Sequence, residues 1–372
     1  MLNYITSGES HNQYMLSVLE GMPSGVPIDM KSVNHEMWRR QQGYGRGGRM
    51  QIETDTVKLT SGILKNTTTG SPIGILLENS DVKIDKMPEI DRPRPGHADL
   101  MGSLKYQGGI RGVLERASAR ETTLRVAVGG IVRQFLNQFG VKITSHVFEL
   151  GKVSVDRAGI TFDDIVSGTK DSELNCICSE AEAEMKQLID KAKEDGDTYG
   201  GRLEVRVEGV PPGLGSFASY NTKLDAKIAA AIISVQAVKE VGFGLAEELG
   251  RIPGSQSHDE IAYDKKEGYT RKTNNLGGFE GGMTTGEEIV VVATKKPIST
   301  LRKPLDSVNM KTKKTEKAAF ERSDVCAVAA CSVICEAVVA YEIANAMIDK
   351  FGGDNLGEIK RNYDAYMKEI KK

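Results

Sequence analysis

The stretch GESHNQYM, residues 8 to 15, sets Glu9, Ser10 and His11 side by side and carries one of only five histidines in the chain. An imidazole titrates near neutrality, so His11 could hold or deliver a proton; it could equally be a polar residue closing a first strand. His97 lies in RPRPGHADL, with Arg92 and Arg94 before it. The prolines fix the backbone and Gly96 permits a turn, which puts His97 on a rigid bend, and the neighbouring guanidiniums favour its neutral form.

Arginine is concentrated around these segments. Ten of the 19 arginines fall between Arg39 and Arg125, a stretch with five of the 30 lysines. Singly, each could be an ordinary surface ion pair. Ten together, interleaved with glycine, point to a bidentate grip on phosphate or carboxylate. GYGRGG satisfies G-x-G-x-x-G through Gly43, Gly45 and Gly48, but a helix pattern precedes it and a strand pattern follows, the reverse of a dinucleotide fingerprint. It reads instead as a glycine loop that presents Arg46 and Arg49 to an anion or closes over a ligand. LERASARET offers Arg116 and Arg120 at a helix start. KKPIST places Lys296 beside two hydroxyls, and ERSDVC sets Arg322 and Asp324 at the start of what reads as the last helix, where an acid also suits the dipole. From residue chemistry alone, this is an enzyme that binds one or more small polyanions, with its reaction left open.

The elements that must position these groups follow from periodicity. Residues 31–42 predict a helix; 50–60, 71–79, 141–150, 201–210 and 287–295 predict strands. Leu124, Val128, Val132 and Leu136 recur at helical spacing, with Ser118 and Glu121 as a capping box before them, and Ser179 with Glu182 form a second box. Residues 223–241 and 324–349 predict further helices, the latter rich in small residues and buried. No linker-like break divides the chain, so residues 1–372 read as one α+β domain, with two small-residue helices hinting at pseudo-symmetric halves.

Composition excludes several classes. With 39% hydrophobic and 27% charged residues and a formal charge of −2, the chain is globular and lacks the basic excess of a nucleic-acid or membrane-surface binder. The N-terminus has no secretory pattern, and the apolar run from Val325 to Cys335 ends at Glu336, too short to span a bilayer. Five cysteines without a C-x-x-C pair indicate reduced thiols, hence a cytoplasmic protein, and no metal constellation appears.

Taken in order, GESH, RRQQGYGRGGRM, RPGHADL, ERASARETTLRVAVG, NNLGGFEGGMTTG, KPIST and ERSDVC resemble the motifs of the chorismate synthase family across nearly the whole chain. The resemblance implies a lyase that turns 5-enolpyruvylshikimate 3-phosphate into chorismate and phosphate, by loss of phosphate and the C6 proton across a 1,4 relationship. This is the last common step to the aromatic amino acids. It also implies reduced FMN with no net redox change, a β-α-β sandwich with long central helices, and a homotetramer. By resemblance His11 protonates the departing phosphate, His97 stands beside the flavin, and Asp324 lies near flavin N5. Arg40, Arg46, Arg49, Arg94, Arg120 and Arg322 would grip substrate, with Arg40 and Arg46 also matching NADP positions. Flavin contacts would fall at Arg116, Ala117, Ser118, Gln236, Ala237, Gly281, Lys296, Pro297, Ile298, Ser299, Thr300 and Arg322. NADPH could reduce the flavin, or a separate flavin reductase could. Three departures stand out: Asn12 replaces the family's glycine after GESH, KEVGFG exchanges Glu240 and Gly242 relative to KGVEFG, and the segment from Asn79 to Arg92 is short. An NADPH–flavin oxidoreductase and an RNA-binding module are the rival readings, distinguished by steady NADPH consumption and by salt-dependent RNA affinity.

Overall fold

The structure is a computed structural model, and it describes residues 1–48, 54–266, 268–321 and 323–371. Arg49 and Arg322 therefore lie outside the described residues, as does the first part of the strand predicted over 50–60. Two antiparallel sheets enclose a layer of helices. The first sheet runs β1 (Asn3–Ser7), β2 (Tyr14–Glu20), β3 (Val57–Leu59) and β4 (Ile73–Glu78) in the order β1-β2-β4-β3. The second contains β5 (Lys142–Leu150), β6 (Val153–Ser154), β7 (Gly201–Glu208), β8 (Val238–Phe243) and β9 (Ile289–Lys295) in the order β8-β9-β7-β5-β6. In β2 the pattern alternates strictly, with Met15, Ser17 and Leu19 inward and Leu16 and Val18 outward, as a sheet with one covered face requires.

Among the described residues the α-helices of eight residues or more, in chain order, are α1 (Met30–Gln41), α2 (Asp99–Tyr106), α3 (Ile110–Ala117), α4 (Thr122–Asn137), α5 (Ser179–Asp195), α6 (Leu224–Ile233), α7 (Val328–Phe351) and α8 (Leu356–Glu369). The middle layer is built on α4 and α7, which pack on each other and on α1. Both are buried nearly all round, because each has a sheet or another helix on every side. One apolar core joins Leu19 and Ile75 of the first sheet through Ile131 and Val339 to Val205 and Val291 of the second. By length and composition α7 could cross a bilayer, yet 78% of its apolar window is buried in the fold. Its Glu336 is fully buried and paired with Arg39, Arg133 and Ser145. All five cysteines are free thiols.

Several local expectations change. The helix predicted over 223–241 ends at Ile233, and Val238–Phe243 is a strand on β9. Helical spacing cannot register a turn that reverses the chain, and here Ala237 makes it at φ +71°. The long C-terminal helix begins at Val328, so Asp324 sits in the preceding loop, and α8 follows it. Neither capping box closes. Ser118 accepts from Arg120 N in a single 3₁₀ turn before α4, while Glu121 is held by Thr6 and Arg125. Cys178 occupies the N-cap position of α5, and Glu182 instead accepts from Glu173 N.

Candidate active site

A cavity of about 620 Å³ opens where the N-terminal ends of α4 and α7 meet the loops of both sheets. Among the predicted residues it is lined by His11, Arg40, Arg46, Arg94, His97, Ala117, Ser118, Arg120, Gln236, Ala237, Lys296, Ile298, Ser299, Thr300 and Asp324. Three predicted contacts stand elsewhere. Arg116 turns back to donate to the carbonyls of Thr6 and Gly8; Gly281 lies in a hairpin turn near Phe217 and Met283; and Pro297 is not part of the wall.

Each cavity histidine rests on a buried carboxylate. Nδ1 of His11 is 3.0 and 2.9 Å from the two oxygens of Glu115 on α3, and the His11 backbone N–H donates to the same carboxylate at 2.9 Å. Nε2 lies 3.8 Å from Asp81. Burial would raise the Glu115 carboxyl, but its bonds from His11 and the nearby Arg111 hold it below the usual range. His97 Nδ1 lies 2.5 Å from Asp99 Oδ1, and Arg94 donates to both Asp99 oxygens at 2.8 and 3.0 Å. Despite burial, these bonds hold the Asp99 carboxyl far below the usual carboxylate range.

The bend carrying His97 is made possible by Gly96 at φ +75°, and it is fastened from across the cavity. Ser299 Oγ donates to Gly96 O at 2.9 Å and accepts from Lys296 Nζ at 2.8 Å, while Arg94 Nη1 donates to Thr300 Oγ1 at 2.8 Å. The RPGH turn and the KPIST loop are thus one wall. The glycine loop forms the opposite side. Gly45, at φ +81°, has room for no side chain, because a Cβ would come within 2.7 Å of Ile189 and 3.3 Å of the Cys326 backbone. That close seating delivers Arg46, whose Nε lies 2.9 Å from Asp324, and Gly47 N, which donates to Asp324 at 2.6 Å.

Behind the wall, Asp55 lies between two buried arginines, 2.7 Å from Arg120 and 3.6 Å from Arg40. Arg120 also donates twice to Asn79 Oδ1, and Arg40 donates to Thr122 Oγ1 and Ala119 O. Nη1 of Arg40 is buried without a hydrogen-bond acceptor. Burial pulls this guanidinium down to about 9, against the opposing pull of Asp55 and with further lowering by Arg120 and Arg46. Lys296 is likewise lowered by burial and by Lys295 and Lys239, which also line the cavity. Such a concentration of undercompensated positive charge suits a ligand with several negative charges.

The sequence did not single out Glu115, Asp99, Asp55, Ser10 or Lys83 as site residues. Asp99 stands two residues after His97 and was legible as a histidine partner; Glu115 meets His11 across 104 positions and was not.

A sequence profile of the family described as chorismate synthase matches residues 2–348. The chain belongs to the chorismate synthase family. It is 48% identical over 380 residues to the chorismate synthase of Brevibacillus brevis, covering 98% of each chain. Against that of Geobacter metallireducens it is 49% identical over 388 residues, covering 99% of this chain and 98% of the relative. A crystal structure of chorismate synthase superposes with a TM-score of 0.83 at 37% identity, covering all of this chain and 98% of that one. The β-α-β sandwich is thus the fold of this family member, and family membership implies a reduced flavin cofactor and a small-molecule substrate.

The site fits a flavin on its own terms. Gln236 Oε1 is buried at the cavity without a hydrogen-bond donor, as an acceptor for a polar ring edge would be. Beside it Ala237 holds its left-handed φ, and its carbonyl accepts from Lys296 N at 2.9 Å, joining the two predicted flavin segments. Two of the departures from the family pattern, Asn12 and the Glu240/Gly242 exchange, lie outside the cavity wall. Asn12 keeps a negative φ and directs its side chain to Glu9 and Gln13 N, outside the wall. Glu240 accepts from Thr294, and Gly242 leaves room for Ala246, whose methyl would otherwise meet a Cβ at 2.6 Å.

Proposed function

We propose that this cavity carries out the family reaction, elimination of phosphate and the C6 proton from 5-enolpyruvylshikimate 3-phosphate, with reduced FMN bound along Ala117, Ser118, Gln236, Ala237 and the 296–300 loop. The enzyme is a carbon–oxygen lyase of the chorismate synthase family. The observation that carries the site assignment is the convergence on one cavity of Arg40, Arg46, Arg94 and Arg120 with two histidines, each backed by a buried carboxylate. The substrate brings a phosphate and two carboxylates, and these guanidiniums bind and orient them. His11 delivers a proton to the departing phosphate oxygen, so the leaving group departs with less charge. His97, held by Asp99 and Arg94, places a proton beside the flavin ring, and Asp324 is positioned by Arg46 and Gly47 to take up the C6 proton. When bound, reduced flavin supplies transient electron density to the breaking C–O bond and recovers it. Arg49 and Arg322 belong to the same proposed set of substrate contacts, Arg322 also to the flavin set.

The wider assignments follow from the same reading. Residues 1–372 act as one domain in a homotetramer. The exposed outer face of the first sheet, with Ile5, Leu16 and Val18, supports association with further copies. Free thiols and a buried α7 support a cytoplasmic enzyme. Electrons for the flavin come from NADPH at Arg40 and Arg46 or from a separate flavin reductase. The test is anaerobic: purified enzyme, 5-enolpyruvylshikimate 3-phosphate and chemically reduced FMN, following both products. Equal release of chorismate and phosphate, absent with oxidised FMN, is expected. Bound flavin with no product and continuous NADPH oxidation would overturn this reading in favour of a flavin oxidoreductase.

A further inference from the structure

We infer that Glu115 is a positioning residue that selects the protonation geometry of His11, an inference that rests on the acid role proposed for His11 above. Glu115 is buried on α3, 1% exposed, and receives two separate N–H donors from one residue: the His11 backbone N–H on Oε2, and ring Nδ1, which lies 3.0 Å from Oε1 and 2.9 Å from Oε2. Its own backbone carbonyl accepts from Ser10 N at 3.1 Å, so the turn after β1 is clamped to α3 at both main chain and side chain. Arg111 stands 3.8 Å from the carboxylate and is itself bound to Glu321 and Pro88 O, which keeps the carboxylate charged and in place.

A carboxylate that only accepts can satisfy both donors only if Nδ1 carries a hydrogen. The ring then presents Nε2 as the other nitrogen. As an acid the imidazolium gives up its Nε2 proton, and the neutral ring left behind is the Nδ1–H tautomer, already bound to Glu115. Glu115→Gln breaks this arrangement with almost no change in shape. With the amide oxygen at the Oε2 position, 2.9 Å from both donors, the amide NH₂ takes the Oε1 position 3.0 Å from Nδ1, where it repels an Nδ1 hydrogen and favours the neutral Nε2–H ring, which is a poor acid. If the amide flips, NH₂ is driven against the backbone N–H. Glu115 thus acts on the reaction through His11 and need not touch substrate.

Two readouts test this. In the full-length wild-type enzyme labelled with ¹⁵N-histidine, long-range ¹H–¹⁵N correlation at a pH where the ring is neutral should show His11 as Nδ1–H, with assignment by the His11→Ala spectrum. A wild-type Nε2–H tautomer overturns the inference without any variant at Glu115. In Glu115→Gln the signature should move to Nε2–H, and kcat should fall about a hundredfold or more with KM changed less than about threefold. Wild-type tautomer and wild-type kcat in that variant would also overturn it. If the wild type forms no chorismate, the reaction reading fails on its own, while the tautomer measurement still decides the role of Glu115.

Discussion

Gly129 lies where α4 crosses α7, and its replacement by alanine measures how closely the middle layer is packed. A Cβ at 129 would stand 2.4 Å from Ala337 Cβ, 2.6 Å from its Cα and 3.0 Å from its carbonyl oxygen. Ordinary carbon contacts are about 3.5–4.0 Å, so the helices must part by roughly 1 Å, and a methyl group has no rotamer by which to escape. Overpacking costs about 1–3 kcal/mol, and contact with backbone puts this site near the upper end. Alanine's better helix propensity returns about 1 kcal/mol, leaving a net loss of about 2 kcal/mol. The control is Gly112→Ala on α3, where the added methyl meets nothing within 4 Å and φ is not positive, so only the propensity gain remains. Urea unfolding followed by circular dichroism, with reduced-flavin affinity measured in parallel, should show opposite signs for the two variants. Gly129→Ala should also weaken flavin binding, because both helices open onto the cavity. A Gly129→Ala protein as stable as wild type would refute the packing argument.

Further outcomes are expected. His11→Ala and His97→Ala should each slow chorismate formation while leaving the protein folded; a full-speed variant at either position removes that histidine from the mechanism. Asn12→Gly should leave turnover within about twofold and cost a few tenths of a kcal/mol, since its side chain serves only the turn. Despite burial, hydrogen bonds and arginine partners hold Glu204 and Glu336 down to about 2. Their folded values lie below their unfolded ones, so the stability they contribute is present above the ordinary carboxylate range and lost as pH falls from about 4.5 toward 2, which acid titration of ellipticity would follow. Glu342 has the opposite sign: burial pushes it up to about 7, so its contribution declines as pH rises from about 4.5 to 7, and Glu342→Gln should flatten that part of the stability profile.

The parts of the site legible in the sequence are those whose chemistry is local. RPGHADL carries its own bend, and the histidine, arginine and aspartate that bond within it are five residues apart or fewer. GYGRGG announces a tight loop. Three strands of the second sheet, β5, β7 and β9, are legible because they carry patterns that suit a covered sheet, whereas β8 reads as the end of a helix. In β7, Leu203, Val205 and Val207 alternate with charged residues, and IVVVATK in β9 is a β-branched run. What is not legible depends on distant partners. Glu121 looks like a cap from its spacing, but Thr6 and Arg125 offer it hydroxyl and charged partners that the helix end does not. Arg116 reads like its neighbours, yet the free carbonyls at the end of β1 draw it out of the cavity. Asp324 reads as helical because the apolar run hides the loop that Gly47 and Arg46 hold open.

The residue that leads into the first strand is tied to a helix made much later. Leu2 N donates to Asn345 on α7, 343 positions later, and Tyr341 OH donates to Leu2 O. At a ribosomal pace of about 5–20 residues per second, the segment carrying His11 waits roughly 17–70 s for that anchor. During this interval α4, which packs on β1, β2 and β4, can cover the inner face of the first sheet, but the tie to α7 is missing. Loss of α7 through a late stop codon would therefore cost the fold both the tie at Leu2 and the partner on which α4 packs in the middle layer.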